Sequence, residues 1–288
     1  WFTLMGEEPS VAEIEEFENS KQNIPKSSRL TFESNNAPKI LIVDDNTINR
    51  QVASQILMKS GFKTDLAFSG PAAIEKVKNN EYDLILMDIQ MPIMDGVTAT
   101  KEIKKLSKAI PPIVAMTAYS MKEDRQRFLD MGMDDYLAKP IVSSILLDVI
   151  QQNLPGFTSK SSNSEENTPK TSNGNELELI DKKTLQQLSK YADKPTIKSF
   201  FEEFEIEAKS LILESINAEK TSDMEKILNN LHTLKGNAGT LGIRSLEEQA
   251  KKIESDLKKE KTEKLMKDLN HLLDNFNKFT NNYQSILK

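Results

Sequence analysis

From Lys39 onward the chain repeats one alternation five times: a short run of strand-type residues, then a stretch whose apolar positions recur every three or four residues. The runs are KILIV, KTDLAF, DLILM, PIVAM and DYLAK, and the helical stretches lie near residues 48–57, 71–78, 99–106, 121–131 and 142–152. In DLILM, four consecutive apolar residues show no alternation of buried and exposed positions, which marks a strand covered on both faces. Strands that alternate with helices in this way predict a doubly wound α/β domain, a five-stranded parallel sheet with right-handed crossovers and helices on both faces.

The alternation is confined to residues 38–154, and the remaining segments follow other patterns. Residues 1–37 are polar and punctuated by Pro9 and Pro25, which predicts a linker with at most a short acidic helix. Residues 155–177 contain Phe157 and Leu177 as their large apolar side chains and cannot support a core, so they read as a flexible tether. Beyond them no strand pattern recurs. Leu185, Leu188, Ile197, Phe200, Phe201, Phe204, Ile206, Leu211, Ile212 and Ile216 space out helically. Leu265, Leu269, Leu272, Phe276, Phe279 and Tyr283 make one stripe on a last helix. Residues 178–288 are therefore expected to form an antiparallel bundle of four or five helices. Ser222-Asp223-Met224-Glu225 and Ser245-Leu246-Glu247-Glu248 have the form of capping boxes and predict two helix starts.

Bulk properties exclude several classes. The 288 residues include no cysteine, so no disulfide, thiolate metal site or thiol nucleophile is available. A net charge of −6 argues against a broad nucleic-acid-binding surface. No apolar run approaches the roughly 18 residues of a membrane span, and a soluble, cytoplasmic chain without membrane contact is expected. The chain begins with Trp1, which suggests a piece of something longer.

The strand ends carry the chemistry. KILIV runs into Asp44-Asp45, DLILM into Asp88, PIVAM into Thr117 and DYLAK into Lys139. In a parallel sheet these ends share the carboxyl edge, where open α/β folds place their ligands. A single Asp after a strand is usually a helix cap. Three carboxylates meeting in a partly desolvated place repel, and either protonation or a hard divalent cation held by oxygens, most plausibly Mg²⁺, relieves them.

The set Asp44-Asp45, Asp88, Thr117 and Lys139-Pro140, with MPIMDG after the acid and Tyr136 three residues before the lysine, resembles the receiver domain of two-component response regulators. The resemblance implies a flavodoxin-like strand order and Asp88 as phosphoacceptor. It also implies Mg²⁺ on Asp45, Asp88 and the backbone carbonyl of Gln90, with Asp44 assisting, and Thr117 and Tyr136 as a switch pair. In NNLHTLKGNAGTLG, His232 sits at the edge of the apolar stripe and is expected to be exposed, with Lys235 and Gly236 on its face. Glycine inside a helix costs up to about 1 kcal/mol, and a bare backbone beside an imidazole suggests close approach by another protein. This stretch resembles the signature of histidine-containing phosphotransfer domains. His271 has no such company and reads as a surface residue.

Together the two resemblances imply the C-terminal part of a hybrid sensor histidine kinase. WFTL at residues 1–4 looks like the closing strand of a kinase ATP-binding domain, and no nucleotide-binding motif follows it. The implied relay runs from an upstream kinase core, in the same polypeptide, to Asp88, to His232 and on to a downstream response-regulator receiver. Two alternatives are a non-catalytic interaction module and an aspartate-nucleophile phosphohydrolase. The second wants an acid two residues after the nucleophile, where this chain has Gln90.

Overall fold

β1 (Lys39–Val43) and β3 (Leu84–Asp88) lie side by side in parallel, with Ile40 opposite Leu84 and Val43 opposite Met87. They form the centre of a five-stranded all-parallel sheet, ordered β2-β1-β3-β4-β5, with β2 at Lys63–Ala67, β4 at Ile113–Thr117 and β5 at Asp135–Ala138. The structure is a computed structural model and describes residues 37–106, 109–117, 128–154 and 179–287. The expected linkers therefore fall outside the described residues, apart from position 37. So does most of the helix expected at 121–131, of which Phe128, Leu129 and Asp130 are seen as helical.

Every residue of β3 and β4 is buried, which explains their unbroken apolar runs, whereas in edge strand β2 Ala67 is buried and the other four residues are partly or fully exposed. Helices α1 (Thr47–Lys59) and α4 (Ser143–Asn153) cover one face, joining Ile48, Val52, Leu146 and Ile150 to Ile40, Ile42, Leu86 and Val114. α2 (Gly70–Asn79) and α3 (Gly96–Lys104) cover the other, with Ala73, Val77, Ala99 and Ile103 against Leu41, Val43, Ile85 and Ala115. Strand order reverses between β1 and β3, so the loops after these two strands diverge and leave a crevice at their carboxyl ends.

The bundle contains α5 (Lys182–Tyr191), α6 (Lys194–Lys220), α7 (Met224–Leu241), α8 (Arg244–Leu257) and α9 (Leu265–Ile286). α7 packs on α6 and α8, and α9 closes the ring against the same two, while α5 lies across α6 and α7. All six stripe positions of α9 are buried. Phe279 meets Phe204 edge-on at 5.7 Å and stacks on Tyr283 at 4.9 Å, and Tyr283 donates to Glu205 Oε2 at 2.8 Å. Burying each such ring contributes about 1.5–3 kcal/mol.

Three expectations need correction. Ile206 is 74% exposed and is not part of the core, because it lies between the inward-facing Phe204 and Ala208 on α6. α7 is capped by Asp223, which accepts from Lys226 N at 3.1 Å, while Ser222 takes φ 57° in the turn from α6. α8 starts at Arg244, so Ser245 lies inside it and caps nothing. There Gly242 adopts φ 73°, Ile243 N donates to Ala238 O at 2.7 Å, and the fully buried Ile243 seals a two-residue corner. No helix among the described residues is long and apolar enough to cross a membrane.

Candidate functional site

The carboxyl edge gathers the predicted residues. Asp44 and Asp88 are buried, Asp45 is half-buried, and one carboxylate oxygen from each lies within 4.8 Å of the others. Lys139, carried by the end of β5, sets Nζ 2.8 Å from Asp44 Oδ2 and 2.7 Å from Asp88 Oδ2. The remaining oxygens are oriented locally: Asp44 Oδ1 accepts from Asn46 N at 2.9 Å, and Asp88 Oδ1 accepts from Gln90 N at 3.1 Å. Gly96 lets the loop fold back over β3, since a Cβ there would lie 2.0 Å from the Asp88 carbonyl oxygen.

Burial, then the charge of Asp44, pushes the Asp88 carboxyl up to about 7. Burial also raises Asp45, with Asp44 adding to it. Lys139 is drawn down by burial, but Asp44 and Asp88 outweigh this and hold its proton up to about 12. Among the described residues, three carboxylates against one ammonium leave an all-oxygen pocket short of positive charge, and this donor set fits a hard divalent cation. Thr117 is buried at the end of β4, next along from Met116, which pairs with Asp88. Tyr136 on β5 is half-buried and stacks on Phe128 at 6.3 Å, turned toward the sheet's second core.

His232 is not the exposed residue expected: its side chain is 28% exposed. Nδ1 lies 3.4 Å from Oε1 of Glu254, a buried acid on α8. Glu254 also receives Lys235 Nζ at 2.6 Å and Lys258 Nζ at 2.7 Å. Burial works against ionisation of Glu254, but hydrogen bonds from His232, Lys235 and Lys258 hold it well below the usual carboxylate range. An ionised carboxylate only accepts, so the Glu254 contact favours a proton on Nδ1, while Lys235 Nζ, 3.5 Å from the same nitrogen, can only donate to it. His271 is exposed, as expected, with Nδ1 3.1 Å from Gln249 Nε2.

The imidazole meets the acidic pocket. α1 packs on α5, α6 and α7, and a cleft of about 150 Å³ opens between the two regions. Asp45, Asp88 and Lys139 line one wall, and His232, Lys235 and Gly236 line the other. That volume is many times what one water needs, which leaves room for a tetrahedral oxyanion.

Residues 40–151 match the response regulator receiver domain family, and residues 197–279 match the Hpt domain family. The chain carries a receiver domain followed by an Hpt domain. The aerobic respiration control sensor protein ArcB of Escherichia coli K12 is 32% identical over 259 residues, covering 88% of this chain and 31% of ArcB. The sensor histidine kinase GacS of Pseudomonas protegens is 29% identical over 239 residues, covering 79% of this chain and 25% of its own length. The chain thus spans less than a third of these relatives. Among solved structures, Vibrio cholerae CheY4 is 30% identical and aligns over 41% of this chain and all of its own, with a TM-score of 0.40.

Within the receiver, then, the structure brings together Asp44, Asp45, Asp88 and Lys139, with Thr117 beside them and Gln90 donating its amide. Within the Hpt domain it sets Lys235 beside His232. The two glycines prove unlike. A Cβ on Gly236 would meet nothing nearer than Asn49 Nδ2 at 4.0 Å, so that position faces the receiver, whereas one on Gly239 would press on the Glu247 carboxylate at 3.1 Å. Glu254 escaped the sequence reading. An acid beside Ile253 on the buried side of α8 was the available signal, but its cations Lys235 and Lys258 come from two helices.

Proposed function

We propose that this chain is a phosphorelay segment in which Asp88 takes a phosphoryl group from a phosphohistidine and His232 takes it in turn. The receiver is assigned to residues 38–154 and the Hpt domain to 178–288. In the first step an Asp88 carboxylate oxygen bonds to phosphorus, the P–N bond breaks, and the donor imidazole keeps the electron pair. Lys139 faces the charge on the phosphoryl oxygens. A bound Mg²⁺, held by Asp45, Asp88 and the Gln90 carbonyl with Asp44 assisting, would supply further neutralisation of those oxygens. Thr117 is positioned to donate to the new phosphoryl group, with Tyr136 answering its movement as the switch partner.

In the second step His232 Nε2 bonds to phosphorus, the P–O bond to Asp88 breaks and the carboxylate is restored. The ring then carries a positive charge, which Glu254 faces at Nδ1, while Lys235 is available to the phosphoryl oxygens. Imidazole is a competent nucleophile near neutral pH without a metal of its own. The donor is assigned to a histidine kinase core in the same polypeptide, the acceptor to a separate receiver, and the setting to the cytoplasm.

The observation that carries this reading is the shared cleft: a nucleophilic carboxylate, its ammonium partner and an oriented imidazole line one space. The test is labelling with radioactive acetyl phosphate and Mg²⁺. The unaltered chain should pass label from a hydroxylamine-sensitive form to a base-stable one. Asp88→Asn should take up none, and His232→Gln should hold it in the first form. Label in Asp88→Asn at the parental level would overturn the assignment.

A further inference from the structure

Apolar burial draws α1 onto the bundle but does not fix its register. The apolar residues of α1 belong to one cluster with Ile180, Leu188 and Leu231, and such contact is non-directional, so a shift of an ångström costs it little. Phosphoryl transfer does not tolerate such a shift, because the reacting atoms must be held near attack distance.

One contact between the two regions is directional and dry. Thr240 Oγ1 on α7 donates to Asn49 Oδ1 on α1 at 2.7 Å, between residues only 7% and 5% exposed. The Asn49 side chain is gripped on its other side as well, for its Nδ2 lies 3.4 Å from Asp44 Oδ1. Its own backbone N–H is held by the Asn46 cap at 3.0 Å. The side chain therefore cannot rotate without giving up a partner, and it ties α7 to the wall of the acidic pocket. Thr240 lies eight residues beyond His232, about 12 Å along the same helix. With α7 anchored there, rotation of the helix that would swing His232 away from Asp88 is blocked.

Building on the relay reading, we propose that the Asn49–Thr240 hydrogen bond is the positioning contact that sets the Hpt domain in register on this chain's own receiver, holding His232 opposite Asp88. Both residues line the cleft that Asp88 and His232 share, with their side chains bonded to each other. Separation of the domains leaves both groups to water, so the contact is specific to the docked state.

The test uses the full chain. After a pulse of acetyl phosphate with Mg²⁺, the conversion of already loaded hydroxylamine-sensitive label into base-stable label is followed in time, so the result does not depend on the extent of loading. Thr240→Val, which removes the donor and keeps the shape, should slow conversion about tenfold, the effect of losing one buried hydrogen bond. Thr240→Ser should restore the parental rate. Asn49→Ala combined with Thr240→Val should be no slower than the slower single variant. A second readout exploits the absence of cysteine: Gln51 Nε2 and Glu203 Oε1 lie 3.4 Å apart across the same interface. A Gln51→Cys, Glu203→Cys pair treated with a short bis-maleimide, whose spacer replaces the removed side-chain length, should cross-link rapidly, and more slowly when Thr240→Val is added. Parental conversion and cross-linking in Thr240→Val, or a serine variant as slow as valine, would overturn the proposal. If the unaltered chain never forms base-stable label, the relay reading fails on its own, and the cross-linking rates still decide the docking contact.

Discussion

The acidic pocket and the imidazole site are both ionic clusters, but their charge balances are opposite. In the receiver, three carboxylates share one ammonium, and Asp88 is pushed up to about 7 by burial and by Asp44. In the Hpt domain, one buried carboxylate holds two ammonium groups and an imidazole, and Glu254 is pulled well down. The first site is incomplete by itself and gains from added positive charge. In the second the ammonium groups outnumber the carboxylate, so it calls for no added cation.

The sharpest way to break this contrast is to remove the ammonium that bridges Asp44 and Asp88. Lys139→Met should lower the rate of label uptake from acetyl phosphate by about a hundredfold or more, the scale seen when one preorganised donor facing developing charge is lost. Uptake within a factor of two of the parent would show that the ammonium is a structural counter-ion only.

Next in size is Glu254→Gln, which leaves Lys235 and Lys258 without their anion and should cost the bundle about 1–2 kcal/mol at pH 7, read from urea unfolding. A pH series sharpens it. Glu254 has a folded pKa below its unfolded value of about 4.3, so its stabilisation is complete above that value and is lost as pH falls toward the depressed one. The unaltered chain should lose stability over that acid window more steeply than Glu254→Gln.

A smaller effect separates the two sites by their appetite for metal. At ten times its dissociation constant, Mg²⁺ should raise the unfolding free energy of the receiver by about 1.4 kcal/mol, with little change for Asp45→Ala, and chelation should reverse it. Gly236→Ala should stabilise α7 by up to about 1 kcal/mol in thermal melts, since the added methyl meets only ordinary contact. Ile206→Ser should fall within about 0.5 kcal/mol of the parent.

What could be read in advance follows from how far each signal reaches along the chain. Asp44, Asp45, Asp88, Thr117 and Lys139 are distant in sequence, but a parallel sheet sends every strand end to one edge, so the topology alone predicts that they converge. Glu254 obeys no such rule: an acid at the flank of an apolar stripe usually meets water, and only the packing of α7 on α8 makes it a partner of His232. The exposure of His232 was misjudged for the same reason, because its partner Glu254 comes from the neighbouring helix. Ser245 fitted a capping pattern, yet the left-handed Gly242 and the buried Ile243 fix the corner two residues earlier. Asn49 and Thr240 are 191 positions apart and carry no mark in either helix.

The cleft over Asp88 is lined by His232 on its far wall. On the proposed relay, an imidazole from outside would have to enter the space that His232 lines, so receiving a phosphoryl group and handing it on would take turns. The chain would then work as a turnstile, with the time its two halves spend apart governing how often the next phosphoryl group is admitted.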